Sequence, residues 1–440
     1  MTIKTINGFS KLSKKEKIKW LSQTFLNGNA QAADLLSLYW HEDSKRQKRH
    51  DEFIENALSN FFLPFAIAPN FNIDGRIYAI PMVIEESSVV AAASNAAKFW
   101  LGRGGFKTEV VSTIKSGQIH LNYSGEAQTL FAFFETYKKQ LISSVDELSQ
   151  SMIKRGGGLI DLSLTNESES LSDYYYIDAR FNTADAMGAN YINSCLETIA
   201  ETFGVLASNF GGFGQGEQPE VVMSILSNFV PECLVRVTVR CPVSELAQEG
   251  LSGKEFAHKF VRAVDIAQTN PLRAVTHNKG IMNGVDAVVL ATGNDFRAVE
   301  AGIHAYACRQ GQYKSLSKAK VDQDHFEFSI ELPLALGTVG GLTKLHPMVG
   351  VALSILQEPS AEELMKIVAT AGLAQNFAAI RSLVTTGIQK GHMKMHLLNL
   401  LSQYNAQEST KIAAIEHFKS NPISARSVAE FVASHQKNDD

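Results

Sequence analysis

The 440-residue chain has only four cysteines, Cys195, Cys233, Cys241 and Cys308, and no two of them form a CxxC. Their spacing excludes the paired ligands of a structural zinc site and a dithiol redox motif. A basic excess is also missing: the net charge is −4 and the pI about 6.3, so no cationic face is available for nucleic acid. No run approaches the ~18 apolar residues of a membrane span, and no apolar core follows the N-terminal lysines as a signal peptide requires. No GxGxxG follows a strand-like run. Gly211-Gly212-Phe213-Gly214-Gln215-Gly216 has the wrong spacing for a doubly wound dinucleotide site. These absences predict a cytoplasmic protein without membrane, nucleic-acid or metal partners.

What is present is a globular composition, 45% hydrophobic and 20% charged, in a chain long enough for two or three domains. The first twenty residues carry six lysines and the capping box Ser13-x-x-Glu16, which reads as a solvated helix face rather than a targeting segment. Ser88 to Trp100 is alanine-rich and helical, ended by Gly102, Gly104 and Gly105. Beyond residue 113 the texture changes. A strand-like run (Gln118–Asn122) leads into a helical pattern through Phe131, Phe133, Leu141 and Leu148 that stops at Gly156-Gly157-Gly158; strands at Leu159–Leu164 and Tyr174–Phe181, a helix at Ala186–Phe203 and a strand at Val221–Leu226 follow. Two helices among four strands predict a ferredoxin-like α+β domain over residues 113–224. Cys233 to Cys241 alternates as a buried strand with Val235, Val237 and Val239 between. Helices are expected around Met282–Leu290 and Phe296–Arg309, then a strand with Phe326, Phe328, Ile330 and Leu332 on one face. Gly337, Gly340 and Gly341 form a tight loop before Lys344 and His346, and the chain turns helical and polar after Gly391.

Four blocks carry potential chemistry. Asn278-Lys279-Gly280-Ile281-Met282-Asn283-Gly284 precedes Ala291-Thr292-Gly293-Asn294-Asp295, setting a lysine and an aspartate among glycines in an apolar segment. A buried Lys279–Asp295 pair suits catalysis, although a lysine there is equally a snorkelling surface residue. Glu86, within Pro81 to Lys98 (PMVIEESSVVAAASNAAK), reads by itself as a strand-end or helix-cap carboxylate. Asp185-Ala186-Met187-Gly188-Ala189-Asn190 is an anion-binding helix start or an ordinary N-capped helix. Gly391-His392-Met393 places His392 one turn before His396, which fits a metal pair but lacks the intervening glutamate and a third ligand.

In that order, the four blocks resemble the class II type of 3-hydroxy-3-methylglutaryl-coenzyme A (HMG-CoA) reductase, and the likeness runs from about residue 9 to residue 396. The resemblance implies reduction of a thioester to an alcohol, HMG-CoA to mevalonate, by two hydrides from NAD(P)H through a hemithioacetal and an aldehyde, in isoprenoid synthesis. The reverse oxidation of mevalonate uses the same residues, and a catalytically silent CoA- or nucleotide-binding protein is the rival from another class. The resemblance also implies an α+β fold. A large, mainly helical domain with a buried strand core (1–112 and 225–386) would bind HMG-CoA, the inserted domain (113–224) the dinucleotide, and a C-terminal helical flap (387–440) would deliver His392 in a homodimer or higher even oligomer.

By position, Lys279 would stabilise the carbonyl oxyanion with Asp295 orienting it, Glu86 would donate a proton, and His392 would protonate the CoA thiolate. Arg273, Asn283 and Ser88 would bind the hydroxymethylglutaryl group; Asp185, Met187, Gly188, Asn190 and Asn228 would contact the dinucleotide. NADH-preferring members resemble one another in an aspartate seven residues before the glycine triplet. Here Ser149 stands there, with Lys154 and Arg155 close by, so the expectation leans to NADPH over NADH.

Overall fold

Capping residues set where the helices begin in this computed structural model, which describes residues 5–248, 250–385, 387 and 397–436. The chain divides into two compact units after Pro64. In the first, helices α1 (Lys14–Phe25), α2 (Ala30–Leu38) and α3 (Ser44–Asp51) start at Ser13, Asn29 and Asp43, and the expected Ser13/Glu16 capping box forms. Lys14 Nζ reaches Asp51 at 2.8 Å and ties α1 to α3.

The second unit opens with a hairpin of β1 (Phe65–Ile73) and β2 (Arg76–Val83), followed by α4 (Val89–Leu101), which ends at Gly102 as expected. A short β3 (Lys107–Val110) leads to β4 (Lys115–Asn122), α5 (Ala127–Ser143), α6 (Asp146–Ile153), β5 (Gly158–Asn166), β6 (Tyr174–Asn182), α7 (Ala189–Asn209) and β7 (Glu220–Leu226). Strands β4 to β7 form one antiparallel sheet in the order β5-β6-β4-β7. That is the split β-α-β-β-α-β arrangement of a ferredoxin-like fold. Its core of Ile119, Phe133, Phe181, Leu196 and Phe203 lies between sheet and helices.

A second antiparallel sheet, β3-β8-β10-β9, is built from β8 (Leu234–Pro242), β9 (Ser317–Asp322) and β10 (His325–Pro333). Phe326, Phe328, Ile330 and Leu332 pair with Cys241, Val239, Val237 and Val235, and all eight are buried, so the alternation in the sequence marks the core face. Against it pack α8 (Gly253–Thr269), α10 (Phe296–Ala307) and, after the short α11 (Leu342–Leu345) and α12 (Pro347–Ile355), the long α13 (Ala361–Val384), while α9 (Pro271–Ala291) lies on α13 and β2. Helical residues 397–403 (α14), α15 (Glu408–His417) and α16 (Ala425–Gln436) form a separate small core around Leu401, Ala414 and Val428.

Two expectations need correcting here. Helix α9 starts at Pro271, capped by Asn270, and not near Met282, so Lys279 lies inside a helix. The cap and Pro271 in the first turn are helix-start signals that outweigh Gly280 and Gly284. Gly284 serves packing instead: a Cβ on it would sit 2.4 Å from the Ala371 carbonyl oxygen of α13. Helix α13 is also long and apolar enough to cross a membrane, contrary to the expectation that no such run exists, and 67% of its apolar window is buried within the fold. It is the central helix of the large core.

Candidate active site

Helix α9 turns His277, Asn278, Ile281 and Met282 inward and leaves Lys279 and Asn283, one turn apart, on its exposed side. The two residues flanking the lysine on its N-terminal side are anchors. His277 Nε2 meets Ser317 Oγ at 2.7 Å, and Ser317 Oγ donates to Asn376 Oδ1 at 2.8 Å. Asn278 accepts from the Leu316 N–H and donates to the Lys314 carbonyl. Burial pushes the His277 imidazole down to about 3, with the Arg273 charge adding to the effect. It stays neutral and holds the roll of α9.

Lys279 Nζ lies 2.6 Å from Glu86 Oε2, a contact across 193 residues of sequence. Glu86 sits in the turn between β2 and α4, where Ser88 adopts a left-handed backbone (φ 76°) and N-caps α4 without using its hydroxyl as a cap. A non-glycine residue in that region costs about 1–2 kcal/mol, which marks the turn as constrained for something other than the helix start. Arg273 occupies the first turn of α9, its charged form disfavoured by burial.

Asp295 does not join this pair. It N-caps α10, accepting from the Arg297 and Ala298 N–H groups at 3.0 and 3.2 Å, and its second oxygen meets the Arg297 guanidinium at 3.0 Å. The reason is helical geometry. From Lys279 to the end of α9 the axis rises about 18 Å, so sixteen residues of sequence carry Asp295 away from the lysine of its own chain. The expected buried Lys279–Asp295 pair is therefore replaced by an exposed Lys279–Glu86 pair, with side chains 57% and 39% exposed. His392 and His396 lie outside the described residues. Among the described residues no three His, Cys, Asp or Glu side chains converge as metal ligands.

The other cluster surrounds the start of α7. Gly188 takes φ 95° and caps α7 without a side chain; a Cβ there would strike Thr183. Met187 and Asn228 line one small cavity, of about 20 Å³, together with Lys115, Ala189, Ser227 and Ala298. Asn190 stands exposed in the first turn. Asp185 points elsewhere: its Oδ1 accepts the Ala361 N–H at 2.8 Å, satisfying the first helical amide of α13. Ser149 is only 2% exposed and hydrogen-bonds to Tyr191 at 2.7 Å, so it does not face an open ribose site as expected. It shares the inner face of α6 with Met152. Burial pushes the Tyr191 hydroxyl up to about 12.

Residues 13–397 match the family model described as hydroxymethylglutaryl-coenzyme A reductase. The chain belongs to the hydroxymethylglutaryl-coenzyme A reductase family. A 3-hydroxy-3-methylglutaryl-coenzyme A reductase of Archaeoglobus fulgidus is 38% identical over 90% of this chain and 86% of its own, and a probable one of Borreliella burgdorferi is 31% identical over 93% and 92%. A solved class II enzyme of Streptococcus pneumoniae, bound to NADPH in open conformations, superposes with TM-score 0.72 at 35% identity, covering 87% of this chain and all of the other. The α+β fold expected from the resemblance holds, and the family's oxidoreductase character gives the two clusters their context. Lys115 and Tyr191 were missed from sequence. The signal for Lys115 was its register with Gly117, Ile119 and Leu121, all on the buried face of β4.

Proposed function

We propose that the chain is a cytoplasmic, NADPH-using HMG-CoA reductase that makes mevalonate, working as a homodimer with sites completed between subunits. The observation that carries the reading is the Lys279–Glu86 contact of 2.6 Å, which brings the lysine of one family block onto the glutamate of another. A dinucleotide, when bound, supplies hydride to the thioester carbon and then to the aldehyde. Everything else falls to side chains. Lys279 opposes the negative charge that gathers on the carbonyl oxygen. Glu86, hydrogen-bonded to it, delivers the proton that oxygen needs. His392 protonates the departing CoA thiolate, an imidazolium being a stronger acid than a thiol. Arg273 pairs with the free carboxylate of the substrate, with Asn283 and the unused Ser88 hydroxyl on its polar groups.

The start of α7 fits a dinucleotide. Its first turn has no side-chain cap, leaving backbone N–H groups and the positive end of a 21-residue helix for phosphate. Met187, Gly188, Asn190 and Asn228 are the contacts on this reading, and Asp185 contributes by fixing the turn. The lean to NADPH now rests on Arg155, which lines the neighbouring cavity with Asp185, and on the NADPH-bound Streptococcus relative. The dimer follows from Asp295: if it acts on Lys279, a second copy must supply it.

Oxidation of NADPH and NADH with HMG-CoA, followed at the nicotinamide absorbance, tests the function. Lys279→Ala is expected to fold normally, since the side chain is exposed, and to lose about 10²-fold or more in turnover. Near-normal turnover in that variant refutes the role of Lys279, and no HMG-CoA-dependent oxidation in the wild type refutes the reductase.

A further inference from the structure

Lys115 is a buried cation that the reaction outlined above does not use. It opens β4 on the inward face, opposite Phe181 of β6, and is 4% exposed. An apolar side chain would fill that place at lower cost, because an ammonium loses its hydration there. Burial accordingly lowers its basicity, offset in part by nearby Asp185. What the ammonium gains is a fixed turn. Its Nζ donates to Thr183 Oγ1 and, at 2.8 Å, to the Ala186 carbonyl, and Thr183 Oγ1 donates to that same carbonyl at 2.6 Å. Thr183 in turn packs against the Cα of Gly188, leaving no room for a side chain. The turn needs such a brace, because Ala184 within it adopts a left-handed φ of 46°. Two further bonds run from the turn to the large core: Thr338 N–H to the Asp185 carbonyl and Ala361 N–H to Asp185 Oδ1.

We propose that Lys115 is a positioning residue for dinucleotide binding: its ammonium clamps the Thr183–Ala186 turn and so sets Met187 and the uncapped start of α7 against Asn228. The inference rests on the reading that this turn holds the dinucleotide. Lys115 lines both the cavity containing Met187 and Asn228 and the adjacent one containing Arg155 and Asp185, so its removal alters both walls at once. Its hydrogen bonds, made by a charged donor in a dry place, are of the strong class.

The test compares Lys115→Met and Thr183→Val with Asn228→Ala in the full-length enzyme. NADPH binding is measured by fluorescence without HMG-CoA, the KM for HMG-CoA is measured by turnover, and thermal melting reports folding. Lys115→Met is expected to weaken NADPH binding by about tenfold or more, with the HMG-CoA KM within about twofold of wild type and melting unchanged or raised, because a desolvated charge is gone. Thr183→Val, which keeps the shape and removes the acceptor, is expected to move NADPH binding in the same direction, and it carries the test if Lys115→Met does not fold. Unchanged NADPH affinity in Lys115→Met, or in Thr183→Val should that variant stand in, overturns the proposal if Asn228→Ala weakens it. A loss of both affinities together with a lower melting temperature also overturns it, since that is the mark of a merely structural lysine. If Asn228→Ala leaves NADPH affinity intact as well, the dinucleotide site itself has been misplaced.

Discussion

Pairing two inactive subunits decides whether Asp295 works across a dimer. Within one chain α9 separates Lys279 from Asp295 by a rise of about 18 Å, well beyond the reach of one lysine side chain, and Asp295 is held at the start of α10 by its capping bonds. If each site combines Lys279 of one copy with Asp295 of the other, a heterodimer of Lys279→Ala and Asp295→Ala subunits concentrates both lesions in one site. Its other site is native. Each homodimeric variant should fall by about 10²-fold or more, whereas the heterodimer, isolated through two different affinity tags, should turn over at about half the wild-type rate. Random mixing makes half of the dimers mixed, so the unfractionated mixture should show about a quarter of wild-type turnover, roughly 25-fold above either parent. The assay is dinucleotide oxidation with HMG-CoA at saturation. A tagged heterodimer no more active than its parents would refute the reasoning, because every site would then carry one lesion and both residues would act from one chain.

Two further outcomes are expected. Ser149→Asp should cost about 3–5 kcal/mol in stability by burying an unpaired carboxylate beside Tyr191; burial raises that carboxylate's pKa, so the loss is full only above the raised value, shrinks as pH falls below it and is gone below the ordinary carboxylate range, which denaturant melts at pH 5 and 8 will read. A wild-type melting curve combined with a switch to NADH would restore the ribose-facing role. His277 is a base whose folded-state value, about 3, lies below its ordinary 6.5. Protons therefore favour the unfolded chain, and stability is complete above about pH 6.5 and lost as pH falls toward 3, by at most ~5 kcal/mol. His277→Gln should flatten that acid limb, and an unaltered limb would assign it to other groups.

The legible parts of this protein are those governed by short-range rules. Alternation at Cys233–Cys241 and Phe326–Leu332 marked the core sheet, and the Ser13/Glu16 box marked α1. The strands and helices of the β4–β7 sheet could be read from their local patterns, although they pair in the order β5-β6-β4-β7 and not in sequence order. Lys279 and Glu86 were legible as residues, whereas their contact spans 193 positions and follows from no local spacing. Asp295 misled because distance along the sequence says little until the conformation between is known: sixteen residues in a turn bring two side chains together, and in a helix keep them apart. Ser149 misled in another way. Its place before the glycine triplet is a matter of count, but which side of α6 it occupies depends on the helix's roll, set by Met152 and Tyr191.

Gly284 touches no reacting group, yet its bare Cα is where α9 lies against the Ala371 carbonyl. A side chain at this position would have no room. Even one methyl group would press α9 outward from α13 and carry Lys279, a turn and a half away on the same rigid rod, off its partner Glu86. A residue with no side chain at all thus holds the lysine of the Lys279–Glu86 contact in place from behind.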